Sequence, residues 1–247
     1  METAEFCEVL EREGRALAAA AAGAGPSAKV PGCPGWQVRD LLRHTGVVHR
    51  WAAGFVADAH TAPRPMGDPP DLDGAALVDW YRDSHRLLLD TLAAAPADVG
   101  CWTFLPSSGP SPLAFWARRQ AHETTVHRYD AEAARGGPVT PVAPDFAADG
   151  IDELLCGFHA RSRSRVRTAE PRVLRVRATD AGTGAVWTVR LTTGPPATVR
   201  GAVGEADAEL YGTAEELYLA LWNRAEPPGV LGDRSLAELW REASGIG

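Results

Sequence analysis

The sequence predicts a protein of α plus α+β class, with a four-helix bundle followed by a smaller domain that mixes helices and strands. Two observations carry this. Up to about residue 135 the apolar residues recur at helical spacing. Beyond about residue 170 they alternate with polar ones around a glycine-containing turn. The boundary is expected near 138–145, giving domains 1–140 and 141–247.

The elements follow in order. Residues 2–22 form a helical pattern that stops at the Gly23–Pro26 breaker, and VPGCPGW (30–36) is a rigid Pro/Gly turn. After Trp36, the apolar residues Val38, Leu41, Leu42, Val48, Trp51 and Phe55 mark a second helix. A loop rich in Pro, Gly and Asp (61–74) precedes a third helix through Leu77, Trp80, Tyr81, Leu87, Leu88 and Leu92. The irregular segment ending in PSSGPSP (106–112) offers Ser111 as a cap and Pro112 as the first residue of a fourth helix, which ends at Gly136–Gly137–Pro138. Four such helices with modest loops suggest a bundle.

In the second half, 145–160 reads as one further helix. RVLRVRATD, AGTG and AVWTVRLTT read as a hairpin, and ATVRGAV (197–203) as a third strand. Thr213 with Glu216 forms a capping-box pattern at the start of a helix through 225, and SLAELWREA (235–243) is a short terminal helix.

Composition narrows the function classes. The 247 residues are 45% hydrophobic and 23% charged, an ordinary globular balance. A net charge of −7 argues against general nucleic-acid binding, which rests on neutralising phosphates. No apolar run reaches the roughly 18 residues of a membrane span. Glu2, Glu5, Glu8 and Glu11 stand where a signal peptide carries positive charge, so a cytoplasmic location is expected. Cys7, Cys33, Cys101 and Cys156 are widely spaced and read as free thiols.

The chemistry-bearing segment is RRQAHETTVHRYDAE (118–132). HETTVH has one residue more than the zinc-protease pattern H-E-x-x-H. On a helix that extra residue turns His122 and His127 about 140° apart, whereas Glu123 and His127 are about 40° apart and share a face. A third ligand must come from another element. The second helix supplies His44, with Asp40 one turn earlier on the same face; His49 points elsewhere. His44, Glu123 and His127 would make a His₂Glu set with an open position, the ligand class of catalytic zinc. On spacing alone a second reading stays open, in which the two histidines are hydrogen-bonded core residues and Glu123 pairs with Arg119.

VPGCPGWQVRDLLRHTGVVHRW (30–51) and FWARRQAHETTVHRYDAE (115–132) closely resemble the mycothiol-dependent maleylpyruvate isomerase family, relatives of the DinB-like four-helix metalloproteins. DAELYGTAEELYLALWNR (207–224) is similar to the family's carboxy-terminal domain, a sterol-carrier-like α+β unit. The resemblance implies a divalent metal, usually taken as zinc, on His44, Glu123 and His127. It also implies mycothiol, the low-molecular-weight thiol of actinobacteria, as cofactor. Its metal-activated thiolate would add to an electrophilic small molecule, and either cis–trans isomerisation or S-transfer would follow. An arginine of the second domain assists catalysis in that family, and position in LWNR makes Arg224 the candidate here; closure of its own helix is the other reading. Asp130 is placed to orient His127. The arginines between 161 and 177 suit the solvent face of an edge strand. Two other functions remain: a thiol-independent hydrolase or lyase using metal-bound water, and a non-enzymatic small-molecule-binding module.

Overall fold

The computed structural model describes residues 1–105, 111–182 and 184–246. It falls into two compact units, Met1–Thr140 and Pro141–Gly247. The stretch 106–110 of the PSSGPSP segment and Thr183 of the expected hairpin turn lie outside the described residues. Among the described residues no helix is long and apolar enough to cross a membrane.

The first unit holds helices α1 (Thr3–Ala24), α2 (Val38–Ala57), α3 (Gly74–Ala94) and α4 (Pro112–Arg135). Local chemistry sets their starts. Ser111 Oγ accepts from the Ala114 backbone N–H and Pro112 opens α4. Asp40, three residues into α2, accepts from the backbone N–H of Gln37. α1 packs mainly on α4 and α2 mainly on α3, while α1–α3 and α2–α4 contacts close the ring. Gly46 lets α2 and α3 approach, because a Cβ there would stand 2.2 Å from the Trp80 ring. At one end Phe55 stacks on Trp116 at 5.2 Å, and Trp51 meets Trp116 edge-on at 5.3 Å.

α4 departs from an amphipathic surface helix. It buries polar side chains on several faces, among them Arg119, Gln120, Thr124, His127, Arg128 and Asp130. Arg128 is the anchor behind it: its guanidinium donates to Glu13 of α1 at 2.7 Å and to Glu132 at 2.9 Å, and also to the Thr140 carbonyl at 2.6 Å. A buried charge needs such partners, since the desolvation cost is otherwise uncompensated.

The second unit carries a five-stranded mixed sheet in the order β3-β2-β1-β4-β5, with β1 (Arg172–Ala178), β2 (Val186–Leu191), β3 (Ala197–Arg200), β4 (Ala208–Gly212) and β5 (Gly229–Gly232). The hairpin pairs Arg172 with Leu191 through Arg177 with Val186, and β3 adds antiparallel to β2. β4 runs parallel to β1. Leu174, Val176, Trp187, Val189 and Leu210 are buried beside Leu217 and Tyr218 of α6 (Ala214–Leu221). Thr213 and Glu216 form the expected capping box of α6, and α7 spans Ser235–Ala243.

Three local expectations are corrected. The helix expected over 145–160 is α5 (Pro144–Asp152) continued by a π-helical turn, Glu153–Phe158, in which the His159 N–H reaches back five residues to Leu154 O at 3.0 Å. β1 is the central strand, with neighbours on both sides, rather than an edge. Its arginines do line the more open face, where Arg177 pairs with Glu209 of β4 at 2.6 Å, and Arg161–Arg167 precede the sheet altogether. Alternation reports which face a residue takes, not where its strand sits in the sheet. β4 and β5 add to the three expected strands, being only five and four residues long.

Candidate metal centre

α2 and α4 bring His44, Glu123 and His127 together. His44 Nε2 lies 3.1 Å from Glu123 Oε1, and His127 Nε2 lies 3.3 Å from the same oxygen. The three donor atoms are all within 4.8 Å of one another. In a tetrahedral zinc site with bonds of about 2.0–2.1 Å, adjacent nitrogen and oxygen donors stand about 3.3–3.4 Å apart. The two measured separations come close to that edge length, so the donor set fits a cation of zinc's size and ligand taste.

Glu123 and His127 each have a further partner on the atom turned away from the centre. Arg119 donates to Glu123 Oε2 at 3.0 Å, leaving Oε1 turned to the histidines. The Arg119 pairing therefore uses one carboxylate oxygen and leaves the other facing His44 and His127. His127 Nδ1 lies 2.9 Å from Oδ2 of the wholly buried Asp130. That acceptor makes Nδ1 the protonated nitrogen and leaves Nε2 for the centre.

Electrostatics match. Burial pushes the Glu123 carboxyl up, but hydrogen bonds from His127 and His44 and the Arg119 charge hold it well below the usual carboxylate range. Burial pulls His127 down, yet Asp130 and Glu123 outweigh it and the imidazole is pushed up to about 9. At neutral pH a proton on His127 thus balances charge that a divalent cation would balance instead.

Trp36 forms a wall. Its ring lies 5.0 Å from His44 and 6.2 Å from His127, near-parallel to the latter. The His44 side chain keeps 34% of its surface exposed against 9% for His127, so the centre opens on the His44 side. His122 turns away to meet Phe6 edge-on at 6.0 Å, and buried His49 is bonded to Thr124 Oγ1 at 2.9 Å. Helical spacing assigns no part to Trp36; the only signal for it in the sequence is the Pro/Gly turn that holds it next to the helix carrying His44. Cys33, from the same turn, is half-buried with Sγ 3.5 Å from Asp130 Oδ2. Arg224 belongs to the second unit, just past α6, where its guanidinium donates to the Trp222 carbonyl at 2.8 Å. Trp222 is the residue that follows α6, so this contact lies at the end of its own helix.

Comparison with known proteins adds family and fold. Residues 7–132 match the family described as mycothiol maleylpyruvate isomerase N-terminal domain, and residues 145–239 match the MDMPI C-terminal domain. A crystal structure of the mycothiol-dependent maleylpyruvate isomerase is similar in fold, with a TM-score of 0.62 at 13% identity over 93% of this chain and 92% of that one. A histidine-to-alanine mutant of the mycothiol-dependent maleylpyruvate isomerase gives 0.60 at 13% identity over 89% and 88%. No curated protein is significantly similar to the chain in sequence.

Proposed function

The chain belongs to the mycothiol maleylpyruvate isomerase family, and we propose that it isomerises a small cis-unsaturated acid of the maleylpyruvate type using mycothiol and a divalent cation held by His44, Glu123 and His127. The observation that carries this reading is the meeting of His44 Nε2, Glu123 Oε1 and His127 Nε2 from two helices. A bound cation of the zinc type lowers the pKa of a coordinated thiol, so that the nucleophilic thiolate is available at neutral pH.

The protein's own residues prepare that chemistry. Glu123 supplies one ionised oxygen, and Arg119 keeps the other engaged. Asp130 holds the Nδ1 proton of His127 and so keeps Nε2 turned inward. Trp36 screens two of the ligands from water, which strengthens electrostatic interactions in the centre. Arg224 is proposed to assist catalysis, as the resemblance of its LWNR segment implies.

The test is turnover of maleylpyruvate by the purified full chain, with metal removed or restored and mycothiol present or absent. The expected outcome is cis–trans conversion that needs both. Turnover with metal alone would instead identify a hydrolase or lyase, and accumulation of a stable thioether would identify S-transfer. Full activity after His44→Ala or His127→Ala would overturn the assignment of the ligands.

A further inference from the structure

His127 has two ring nitrogens, and each faces a different set of donors. Nε2 faces His44 and Glu123, while Nδ1 faces Asp130, whose Oδ2 is also met by Cys33 Sγ from the Pro/Gly turn. Cys33 Sγ, His127 Nδ1 and an Asp130 carboxylate oxygen lie within 4.8 Å of one another. We propose that these three form a second cation site, specific for soft divalent ions such as cadmium or excess zinc, sharing the imidazole of His127 with the first.

The distances support it. Tetrahedral zinc, with about 2.3 Å to sulfur and about 2.0–2.2 Å to oxygen, sets those donors about 3.5 Å apart. The observed Sγ–Oδ2 separation is 3.5 Å. Nδ1 and Oδ2 stand 2.9 Å apart, and must open by a few tenths of an ångström to reach the nitrogen–oxygen edge of about 3.3 Å. Donor chemistry sets the preference. Thiolate selects soft ions, and the first set contains no sulfur. The turn is held rigidly: the Cys33 N–H bonds to Val30 O at 3.1 Å, and Cys33 O accepts from Trp36 N–H at 2.9 Å. Sγ therefore reaches the site without reorganisation of the backbone. Cys33 is the partly exposed member of the three and gives the approach from solvent.

Binding is a proton exchange with no redox change. The Cys33 thiol and His127 Nδ1 each release a proton to solvent, and each lone pair passes to the cation. With both sites filled, the His127 ring would be shared by the two ions through its two nitrogens. Repulsion between the ions would make the second weaker than the first. The isomerase reading enters only through the ion on Nε2.

The test is titration of cadmium into the zinc-loaded full chain, followed by ultraviolet absorption and elemental analysis. A sulfur-to-cadmium charge-transfer band should appear as the total rises from one ion per chain to two. Cys33→Ser should lose the band and the second ion. A chain with Cys7, Cys101 and Cys156 all changed to serine should keep both, so a folding defect in Cys33→Ser could not decide the outcome alone. Absence of the band in that triple variant, or an undiminished band in Cys33→Ser, would overturn the proposal. His44→Ala reports separately on the first site: loss of its zinc with the band retained is expected. Undiminished zinc there would refute the isomerase centre and leave the Cys33 site standing.

Discussion

His127 Nδ1 and Asp130 Oδ2 lie 2.9 Å apart on successive turns of one helix, and the carboxylate is wholly buried. Removing an outer partner of this kind from a metal-bound histidine weakens metal binding by about 10–100-fold. Asp130→Ala should show that loss in chelator competition, with helix content by circular dichroism unchanged.

The proton on His127 competes with the cation. With the imidazole pushed up to about 9 in the metal-free protein, metal affinity should rise about tenfold per pH unit up to about pH 9 and then level off. The stability of the metal-free protein runs the other way. Its folded-state pKa lies above the ordinary value of about 6.5, so the contribution is complete below pH 6.5 and lost as pH rises through 9. Thermal melts of chelated protein across pH 6–10 check the direction.

His159 should titrate with the opposite sign. Its Nδ1 is bonded to Ser164 Oγ at 3.0 Å, its Nε2 is buried without a hydrogen-bond partner among the described residues, and burial pulls its pKa down to about 4. The unfolded chain therefore takes up a proton here before the folded one does. Stability is complete above pH 6.5 and falls by up to about 1.4 kcal/mol per pH unit down to about pH 4. Denaturant melts of the wild type and His159→Gln should show a shallower acid limb in the variant.

Gly46 is the contact point of α2 with Trp80, where a Cβ would come within 2.2 Å of the ring. Gly46→Ala should destabilise by about 1–3 kcal/mol through overpacking. A lowered Tm with the metal content unchanged would agree, and an unchanged Tm would refute the close packing.

Much of this is legible in the sequence, for identifiable reasons. Ser111–Pro112 and the Thr213–Glu216 pair carry their cap chemistry within four residues, so the starts of α4 and α6 can be read directly. Glu123 and His127 share a face by helical arithmetic alone. That His44 meets them depends on which helices are neighbours, and phase says only which way a side chain points. The family resemblance supplies that step. Arg119, a rival partner of Glu123 on spacing alone, is an additional one. Trp36 and Cys33 sit in an irregular turn with no periodicity to place them. β4 and β5 do not stand out from their surroundings, because β4 runs directly into the capping box of α6 and β5 begins and ends with glycine.

The anchoring of α4 from behind has a consequence for how the proposed centre would acquire an ion. Arg128, tied to Glu13 and Glu132 on the side of α4 away from the ligands, fixes the helix whether or not a cation is present. The ligand pair is thus a preset cradle, unlike a zinc finger that is assembled by its metal. Chelation should empty it without melting the bundle. A cradle whose donors are fixed before its guest arrives imposes their geometry on it, so ions that favour other arrangements, such as nickel, should fit it less well than zinc.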